Sequence, residues 1–521
     1  MKIKKTILLV LFMLFASATF AADVKGEIGN VKWLLRNNEM SITGPIESKL
    51  DVISISVPET IEGVPVTKIM GNAFRGCRNL VEVNLPDTIT TIYQGAFSGC
   101  CSLTEIELPK SLVTIDNEAF NGCSFSEIII PSSVETIGTK AFYCDTLVEI
   151  KILDSKVEIG NRAFNCSNVI SVDLGKNVVS IGEGVFENCP LETITIPDSV
   201  KSIGNGIFKK SKKLKTINLS SNLESIGNSA FAGCEKLSSI IIPNSVKVLG
   251  TNVFADCFNL EEIKLSNSLK KLSSGTFENC NALKQLEIPD SVAIIEPYCF
   301  KCSNLESVKL SNSLKTLEYS LFEYCPRLEN IELPNSIKTI GDEVFRNTSI
   351  KSIVIPDSVI SLGTYIFGNC KQLEKVDYPS SIKNIPKGTF YGCSNLKEII
   401  IYKDVDYDYC FTDARIKKVI IEDGIEVFDF GFLSNSFIDS LILPDSIKEI
   451  KGIFNLYTES ITINSIDFEI TGDCTLRTEN LFCYENALKK IYNQGGINYV
   501  TFLDTGKKIT LNVPMNMNDY K

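Results

Sequence analysis

The cysteine pair Cys299 and Cys302 has the C-x-x-C spacing of thiol redox sites and zinc sites. A zinc site would need further ligands, yet the 521-residue sequence contains no histidine and no second C-x-x-C pair. Cys302 also falls at a cysteine position that recurs along the chain, and Cys299 falls at a recurring small-residue position. We therefore predict two buried thiols here, with no metal and no redox centre.

Three aspartates at alternate positions resemble the start of a calcium-binding loop. They are Asp404, Asp406 and Asp408. Such a loop needs glycine at its sixth position and glutamate at its twelfth, but Tyr409 and Arg415 stand there. The segment is therefore predicted to be a solvated acidic loop.

Tyrosines surround these aspartates, at a point where an otherwise regular sequence becomes irregular. Tyr402, Tyr407 and Tyr409 are predicted to be exposed there. Irregular segments on a rigid scaffold often carry binding sites, and aromatic side chains are enriched at interfaces. We therefore predict that these three tyrosines contribute to binding a partner.

The overall composition excludes several classes of function. Lys and Arg number 52 against 63 Asp and Glu, a net charge of −11, whereas a nucleic-acid-binding surface needs a basic excess. The absence of histidine removes the commonest general base. No nucleophile–base motif is present. We predict a protein that is not an enzyme, uses no cofactor and binds no nucleic acid.

The first 21 residues have the features of a cleaved signal peptide. Lys2, Lys4 and Lys5 precede an apolar run from Ile7 to Phe15, and small residues end the segment near Ala21. The run is too short to span a bilayer, no later run reaches the ~18 apolar residues that a span needs, and no lipid-attachment cysteine follows. We predict a secreted or cell-surface protein without a membrane span.

Phenylalanine recurs every 22 or 23 residues through most of the chain, which indicates a repeat architecture. Weaker copies of the repeat follow at Phe411, Phe432 and Phe454, so about 18 turns are predicted. The regular copies carry Phe74, Phe97, Phe120, Phe142, Phe164, Phe186, Phe208, Phe231, Phe254, Phe277, Phe300, Phe322, Phe345, Phe367 and Phe390.

Each copy follows the phrase L-x-x-I-x-I-P-x-S-V-x-x-I-G-x-x-A-F-x-x-C, seen cleanly from Leu237 to Cys257. The alternating apolar positions of L-x-x-I-x-I predict a strand, and the proline after it ends that strand. The glycine after the second apolar pair is expected to permit a tight bend. The A-F-x-x-C part is expected to form a short helical turn with Phe and Cys on its inner side.

The phrase resembles the BspA-like, or Treponema pallidum-type, class of leucine-rich repeat over about residues 52–463. The resemblance implies an α/β leucine-rich-repeat solenoid, right-handed, with a parallel β-sheet on its concave face and short helical turns on its convex side. Members of this family are typically bacterial or protozoan surface or secreted proteins. Several are adhesins that bind host matrix or other cells.

The two ends depart from the repeat, as the ends of a solenoid must if they are to cover its open edges. Residues 22–51 are predicted to be an N-terminal cap with a strand–turn–strand around Trp33. Residues 464–521 are predicted to be a C-terminal cap region with a helix from Asn480 to Tyr492. Within that region Cys474 and Cys483 are the cysteines most suited to form a disulfide.

Most of the 18 cysteines follow the repeat. Ten lie three residues after the repeat Phe, and three more, Cys144, Cys166 and Cys302, lie two residues after it. Parallel side chains on stacked turns would place their Cβ atoms ~5 Å apart, beyond the ~3.5–4.5 Å of a disulfide. These thiols are predicted to be buried and reduced.

The outward strand positions carry two candidate binding surfaces. Glutamate occupies one position in four successive repeats, which favours a basic or cationic partner; the residues are Glu82, Glu105, Glu127 and Glu149. Apolar residues occupy another outward position farther along, which predicts an exposed interaction patch unless the C-terminal segment covers it. These residues are Val354, Ile400, Ile420 and Ile442.

Together these features predict an exported, non-enzymatic recognition protein, adhesin-like, whose partner is an extracellular protein or glycan, such as one of a host matrix. The binding hypothesis names the acidic positions, the apolar positions and the three tyrosines. The alternative is a structural protein that self-assembles into a cell-surface layer. The sequence does not decide the oligomeric state.

Overall fold

Two short strands per repeat form the framework of this computed structural model. It describes residues 23–433, 435–451, 454–463, 469–470, 474–483, 497–502 and 508–510; the predicted signal peptide lies outside them. The chain divides into two units, Met1–Leu237 and Ser238–Lys521. Each unit is a solenoid of stacked parallel strands, which confirms the predicted leucine-rich-repeat architecture.

In the first unit the L-x-x-I-x-I segments form what we call the first ladder. It consists of short parallel sheets of two or three strands, in which equivalent repeat positions stand side by side, as Ile128 does with Ile150. The strands are Ser54–Ser56, Glu82–Asn84, Glu127–Ile130, Glu149–Ile152, Ser171–Asp173, Thr193–Thr195 and Thr216–Asn218.

The segments after the proline form a second ladder. Its two-residue strands each place one apolar side chain in the core, such as Ile137 beside Ile159. The strands are Thr60–Ile61, Val64–Ile69, Thr91–Ile92, Thr114–Ile115, Thr136–Ile137, Glu158–Ile159, Ser180–Ile181, Ser202–Ile203 and Ser225–Ile226.

Three antiparallel strands, Val24–Ile28, Val31–Arg36 and Glu39–Pro45, begin the first unit. The third of them pairs in parallel with Val64–Ile69, so it covers the edge of the second ladder. The predicted strand–turn–strand around Trp33 is confirmed. Its turn uses two left-handed asparagines, as a tight hairpin requires.

The second unit repeats the same arrangement. Its first ladder comprises Ser239–Ile241, Glu262–Lys264, Gln285–Glu287, Ser307–Lys309, Ser352–Val354, Lys375–Asp377, Leu396–Ile401, Arg415–Ile421, Phe437–Leu443, Phe454–Ile463, Cys474–Cys483, Ile497–Phe502 and the antiparallel Lys508–Thr510. Its second ladder comprises Val248–Leu249, Lys271–Leu272, Ile294–Ile295, Thr316–Leu317, Thr339–Ile340, Ser361–Leu362, Asn384–Ile385, Asp406–Tyr407, Val427–Asp429, Glu449–Lys451 and Glu469–Ile470.

The C-terminal expectations need correction. Asn480 lies inside the strand Cys474–Cys483, so no helix begins there, and residues 484–492 lie outside the described part of the chain. The same strand separates the two cysteines predicted to bridge. Nine residue steps at ~3.3 Å each place their Cα atoms roughly 30 Å apart. A disulfide between Cys474 and Cys483 is therefore incompatible with this strand, because it needs a Cα separation below about 7 Å.

The repeat phenylalanines are buried and stacked on one another within each unit. Ring centroids of Phe97 and Phe120 lie 5.3 Å apart with an interplanar angle of 2°, and those of Phe300 and Phe322 lie 5.2 Å apart at 9°. The spacing is close to the ~4.8 Å between neighbouring strands, so each repeat can add one offset-stacked ring. This column is the core of both units.

The α/β class and the helical turns expected on the side opposite the first ladder are not confirmed. In the described chain the one helix is a short 3-10 segment, Phe430–Leu433. The A-F-x-x-C segments are turns in which residues two before and two after Phe commonly take a left-handed φ, such as Asn72 and Gly76 around Phe74. A right-handed helix cannot contain such residues. Backbone N–H groups of one turn bond carbonyls of the next, as Phe74 does to Ala96 at 2.7 Å.

The glycine after the second strand has a different role from the expected bend. Gly160 and Gly204 do not have a left-handed φ. A Cβ added to Gly204 would lie 2.4 Å from the carbonyl carbon of Gly182, one turn earlier. Glycine is required there because successive turns approach each other closely.

The cysteine column satisfies backbone carbonyls as well as filling space. The Cys280 thiol donates to the Phe254 carbonyl at 3.2 Å, and Ser211 makes the equivalent bond to Phe186 at 2.8 Å. Cys144 and Cys166 occupy this column as predicted. Cys302 does not: Ser303 is fully buried three residues after its Phe, and Cys302 lies in the left-handed position before it, half-buried.

Candidate binding surface

The acidic column lies on the first ladder of the first unit, where all four glutamates are exposed. Glu127 and Glu149 are direct partners in the parallel pairing, whereas Glu105 lies outside the assigned strands. None of the four forms an ion pair with a described residue. The second unit differs, because Lys309 pairs with Glu287 on the neighbouring turn at 2.6 Å.

The predicted apolar patch is continuous over three turns. Ile400 pairs with Ile420, which pairs with Ile442, and all three side chains are half-buried. Val354 is 65% exposed but stands apart, because Asp377 follows it in the same column. The patch therefore consists of the three isoleucines, and Val354 does not belong to it.

Two tyrosines in the irregular segment replace inward-facing aliphatic residues. Tyr378 aligns with Ile355 of the preceding turn in the first ladder, and Tyr407 pairs with Ile385 in the second. Each phenol ring is larger than the side chain it replaces. The first-ladder strands Lys375–Asp377 and Leu396–Ile401 do not pair with each other, and the same interruption occurs elsewhere in this ladder, as between Ser171–Asp173 and Thr193–Thr195.

A chain of hydrogen bonds links these tyrosines. The Tyr402 backbone N–H donates to the Tyr407 hydroxyl at 3.0 Å, the two phenol oxygens of Tyr407 and Tyr378 are 3.4 Å apart, and Tyr378 donates to the Ile400 carbonyl at 3.2 Å. Burial raises the pKa of both phenols, so they remain neutral. This chain fixes the backbone that carries the exposed Tyr402 ring.

One cavity, which we call the turn cavity, opens beside this segment and has a volume of about 650 Å³. Tyr402 and Tyr409, 38% and 57% exposed, line it together with Tyr407. The remaining lining residues are Ile401, Lys403, Val405, Asp406, Gly424, Ile425, Glu426, Val427, Phe428, Asp429, Gly431 and Phe432.

A second cavity, the strand-face cavity, lies where the first ladder loses its pairing and measures about 400 Å³. Tyr402 lines this cavity too, so one side chain borders both. The remaining lining residues are Lys351, Ser352, Glu374, Lys375, Val376, Asp377, Tyr378, Lys397, Glu398, Ile399 and Ile400. We call the two cavities together the Tyr402 site.

The structure thus brings the three predicted tyrosines and Ile400 to one site, but it corrects the role of one of them. Tyr407 is buried, because it takes the place of a core isoleucine and stacks on Phe432 at 5.2 Å. Sequence reasoning missed Tyr378. Its signal was available, since Tyr stands directly before Pro379, where most repeats have isoleucine or leucine.

The three aspartates near this site are exposed, as are Tyr402 before them and Tyr409 after them. Asp406 lies in a strand of the second ladder, so the segment is not a calcium-binding loop in shape. Over the described ranges, no group of three or more Cys, Asp or Glu side chains is arranged to hold a metal ion. At the C-x-x-C pair, burial raises the pKa of both thiols.

The chain belongs to the BspA type leucine-rich repeat family. The family model, BspA type Leucine rich repeat region (6 copies), matches residues 67–191, 144–261, 224–349, 315–437 and 407–519. None of the curated proteins matches this sequence.

Several solved structures are similar to the chain. A leucine-rich repeat protein from Bacteroides ovatus is 26% identical over 74% of this chain and 94% of its own, with a TM-score of 0.47. A leucine-rich cell surface protein from Faecalibacterium prausnitzii is 25% identical over 69% and 95%, with a TM-score of 0.37. The pneumococcal vaccine antigen PcpA is 19% identical over 83% and 94%, with a TM-score of 0.36.

No helix within the described residues is both long enough and apolar enough to cross a membrane.

Proposed function

We propose that this protein is an exported, non-enzymatic recognition protein, adhesin-like, that binds an extracellular protein or glycan, such as one of a host matrix, through the Tyr402 site. The observation that carries the proposal is that Tyr402 borders two cavities at an irregular point of a regular scaffold. Small-molecule and partner sites are typically concave and combine aromatic surface with a few placed polar groups. The Tyr402 site has both properties.

The apolar patch extends this site along the first ladder. Ile400 lines the strand-face cavity, and Ile420 and Ile442 continue from it on the next two turns. A partner seated on Tyr402 would therefore also cover half-buried aliphatic surface, which contributes roughly 25 cal/mol per Å² removed from water. The acidic column of the first unit is proposed as a separate surface for a basic segment of a partner.

The proposal is tested by binding purified residues 22–521 to a panel of extracellular-matrix proteins and glycans. Tyr402→Ala should weaken binding of the captured partner by about tenfold or more, because it removes an exposed aromatic anchor. Tyr324→Ala is the matched control, since that tyrosine is exposed on a regular turn. Equal binding by both variants would overturn the site assignment.

The alternative, a structural protein that self-assembles into a cell-surface layer, predicts a different result. A chain that binds nothing on the panel, but forms an ordered array by size exclusion and crosslinking, would contradict a recognition role. A monomer with Tyr402-dependent binding would support it.

A further inference from the structure

We infer that the Tyr402 site takes a neutral oligosaccharide, with sugar rings in both cavities on either side of the Tyr402 ring. The inference rests on the proposed function and names the chemical class of the ligand.

The charges of the strand-face cavity are already compensated by the protein. Lys375 pairs with Asp377 at 2.8 Å, Lys397 pairs with Glu374, and Lys418 pairs with Glu398 at 3.2 Å. The remaining lining lysine, Lys351, pairs with Glu329 at 2.6 Å. A charged ligand would have to compete with these pairs, whereas a hydroxyl can both donate to a carboxylate and accept from an ammonium group.

The turn cavity disfavours anions. Its carboxylates belong to Asp406, Glu426 and Asp429, which repel an anion such as a sulfated or sialylated chain. The ammonium groups of Lys403, which lines the same cavity, and of Lys448, which pairs with Glu426, compensate part of that negative charge. Two of the carboxylates are already engaged: Glu426 pairs with Lys448 at 2.7 Å, and Asp429 accepts the Gly431 N–H at 2.9 Å.

An apolar ligand fits no better than an ion. It would displace water from the charged and polar groups that line both cavities without replacing their hydrogen bonds, which is costly. A neutral sugar satisfies both requirements, since its hydroxyls bond the polar groups and its C–H face packs on an aromatic ring. Tyr402 and Tyr409 offer such rings, each partly exposed.

The Tyr402 ring is held in place before a ligand arrives. Its backbone N–H bonds the Tyr407 hydroxyl, and its ring meets that of Tyr378 edge-on at 5.8 Å. A ring that is already ordered loses little conformational entropy on binding. Because Tyr402 borders cavities of about 650 and 400 Å³, one sugar ring cannot contact all of the site. Affinity should therefore rise from a monosaccharide to a trisaccharide or tetrasaccharide.

The test is binding of residues 22–521 to an array of neutral, sialylated, sulfated and amine-bearing oligosaccharides of glucose, galactose, mannose and N-acetylglucosamine. We expect a neutral trisaccharide or tetrasaccharide to bind best. Its Kd should change less than about twofold between about 0.05 and about 0.5 M NaCl, because no net charge is neutralised. A preference for charged chains, or a strong salt dependence, would overturn the inference.

Variants localise the sugar. Tyr402→Ala should weaken the neutral oligosaccharide by about tenfold or more, whereas Tyr402→Phe, which keeps the ring, should stay within about threefold. Tyr324→Ala should bind like the parent chain. If Tyr402→Ala folds normally and binds the neutral oligosaccharide as tightly as the parent chain does, the inference is wrong.

Failure of the inference is distinguishable from failure of the proposed function. If a matrix protein binds in a Tyr402-dependent manner, but enzymatic removal of its glycans leaves binding intact and no neutral oligosaccharide competes, the ligand is a polypeptide. The inference is then wrong and the proposed function stands. If no partner binds in a Tyr402-dependent manner, both are wrong.

Discussion

The acidic column and the Tyr402 site are built on the same repeat by opposite means. The turns that carry Glu127 and Glu149 keep the regular inward residues, and only their outward side chains are unusual. At the Tyr402 site the outward charges are paired, and the inward residues Tyr378 and Tyr407 are unusual. Outward substitutions thus change the charge of the ladder surface, whereas the inward tyrosines are found beside the two cavities that Tyr402 borders.

The largest predicted effect is a loss of folding stability at alkaline pH, which both regions should share because both contain buried thiols. Burial raises the pKa of Cys100 and Cys325 to about 12 and of Cys370 to about 11, from an unfolded value near 9. The folded chain then binds more protons than the unfolded chain above that unfolded value. Stability is therefore full below about pH 9 and falls above it by up to about 1.4 kcal/mol per pH unit for each buried thiol. Urea unfolding from about pH 8 to about pH 11 measures this slope.

A matched control for the thiols is the exposed Cys101. In the folded protein its thiol should react with a thiol reagent faster than those of the buried column. A shallow alkaline limb, or rapid labelling of Cys280 in the folded state, would contradict a buried, reduced column.

Removing one ring from the regular stack is expected to have the next largest effect. Phe120 is fully buried between Phe97 and Phe142, with ring centroids at 5.3 and 5.2 Å. Phe120→Ala should lower the free energy of unfolding by about 3–5 kcal/mol, because it leaves a cavity and removes two stacking contacts. The exposed Tyr143→Ala should cost about 0.5 kcal/mol or less. Comparable costs would mean that the stack is not the core.

The tyrosine hydrogen bonds give a smaller effect that is specific to the second region. Tyr378→Phe removes the donor to the Ile400 carbonyl, and Tyr407→Phe removes the acceptor for the Tyr402 N–H. Each should cost about 1–3 kcal/mol, since a polar group is left without a partner. Because the two hydroxyls also contact each other, the double variant should cost less than the two single costs together. Strict additivity in urea unfolding would show that they act independently.

The smallest effect belongs to the acidic column. Glu149→Gln removes repulsion from its direct neighbour Glu127 and should stabilise the protein by a few tenths of a kcal/mol, about 0.2–0.5. Glu287→Gln is the contrast, because it breaks a pair with Lys309 and should destabilise the protein slightly. Both differences should shrink at high salt. If Glu149→Gln and Glu287→Gln changed the free energy of unfolding in the same direction, the unpaired and the paired charges would not differ as described.

The regular part of the fold was predictable because stacking forces every repeat to place the same residue types in the core. The Phe column, the parallel strands and the outward glutamates follow directly from that spacing. The turns were not predictable, since the left-handed φ of residues such as Glu118 and Tyr298 is imposed by bonds between turns and not by local preference. The Tyr402 site was only half predicted: exposed tyrosines were expected, but Tyr407 proved to be a core residue and Tyr378 was overlooked.

The most direct test of the account is hydrogen–deuterium exchange of residues 22–521 with and without the neutral oligosaccharide that binds best. Ligand should slow exchange in the segments around Lys375–Asp377, Leu396–Ile401 and Val427–Asp429, and it should leave Glu127–Ile130 and Glu149–Ile152 unchanged. Protection confined to the two glutamate strands, or no protection anywhere, would contradict recognition at the Tyr402 site.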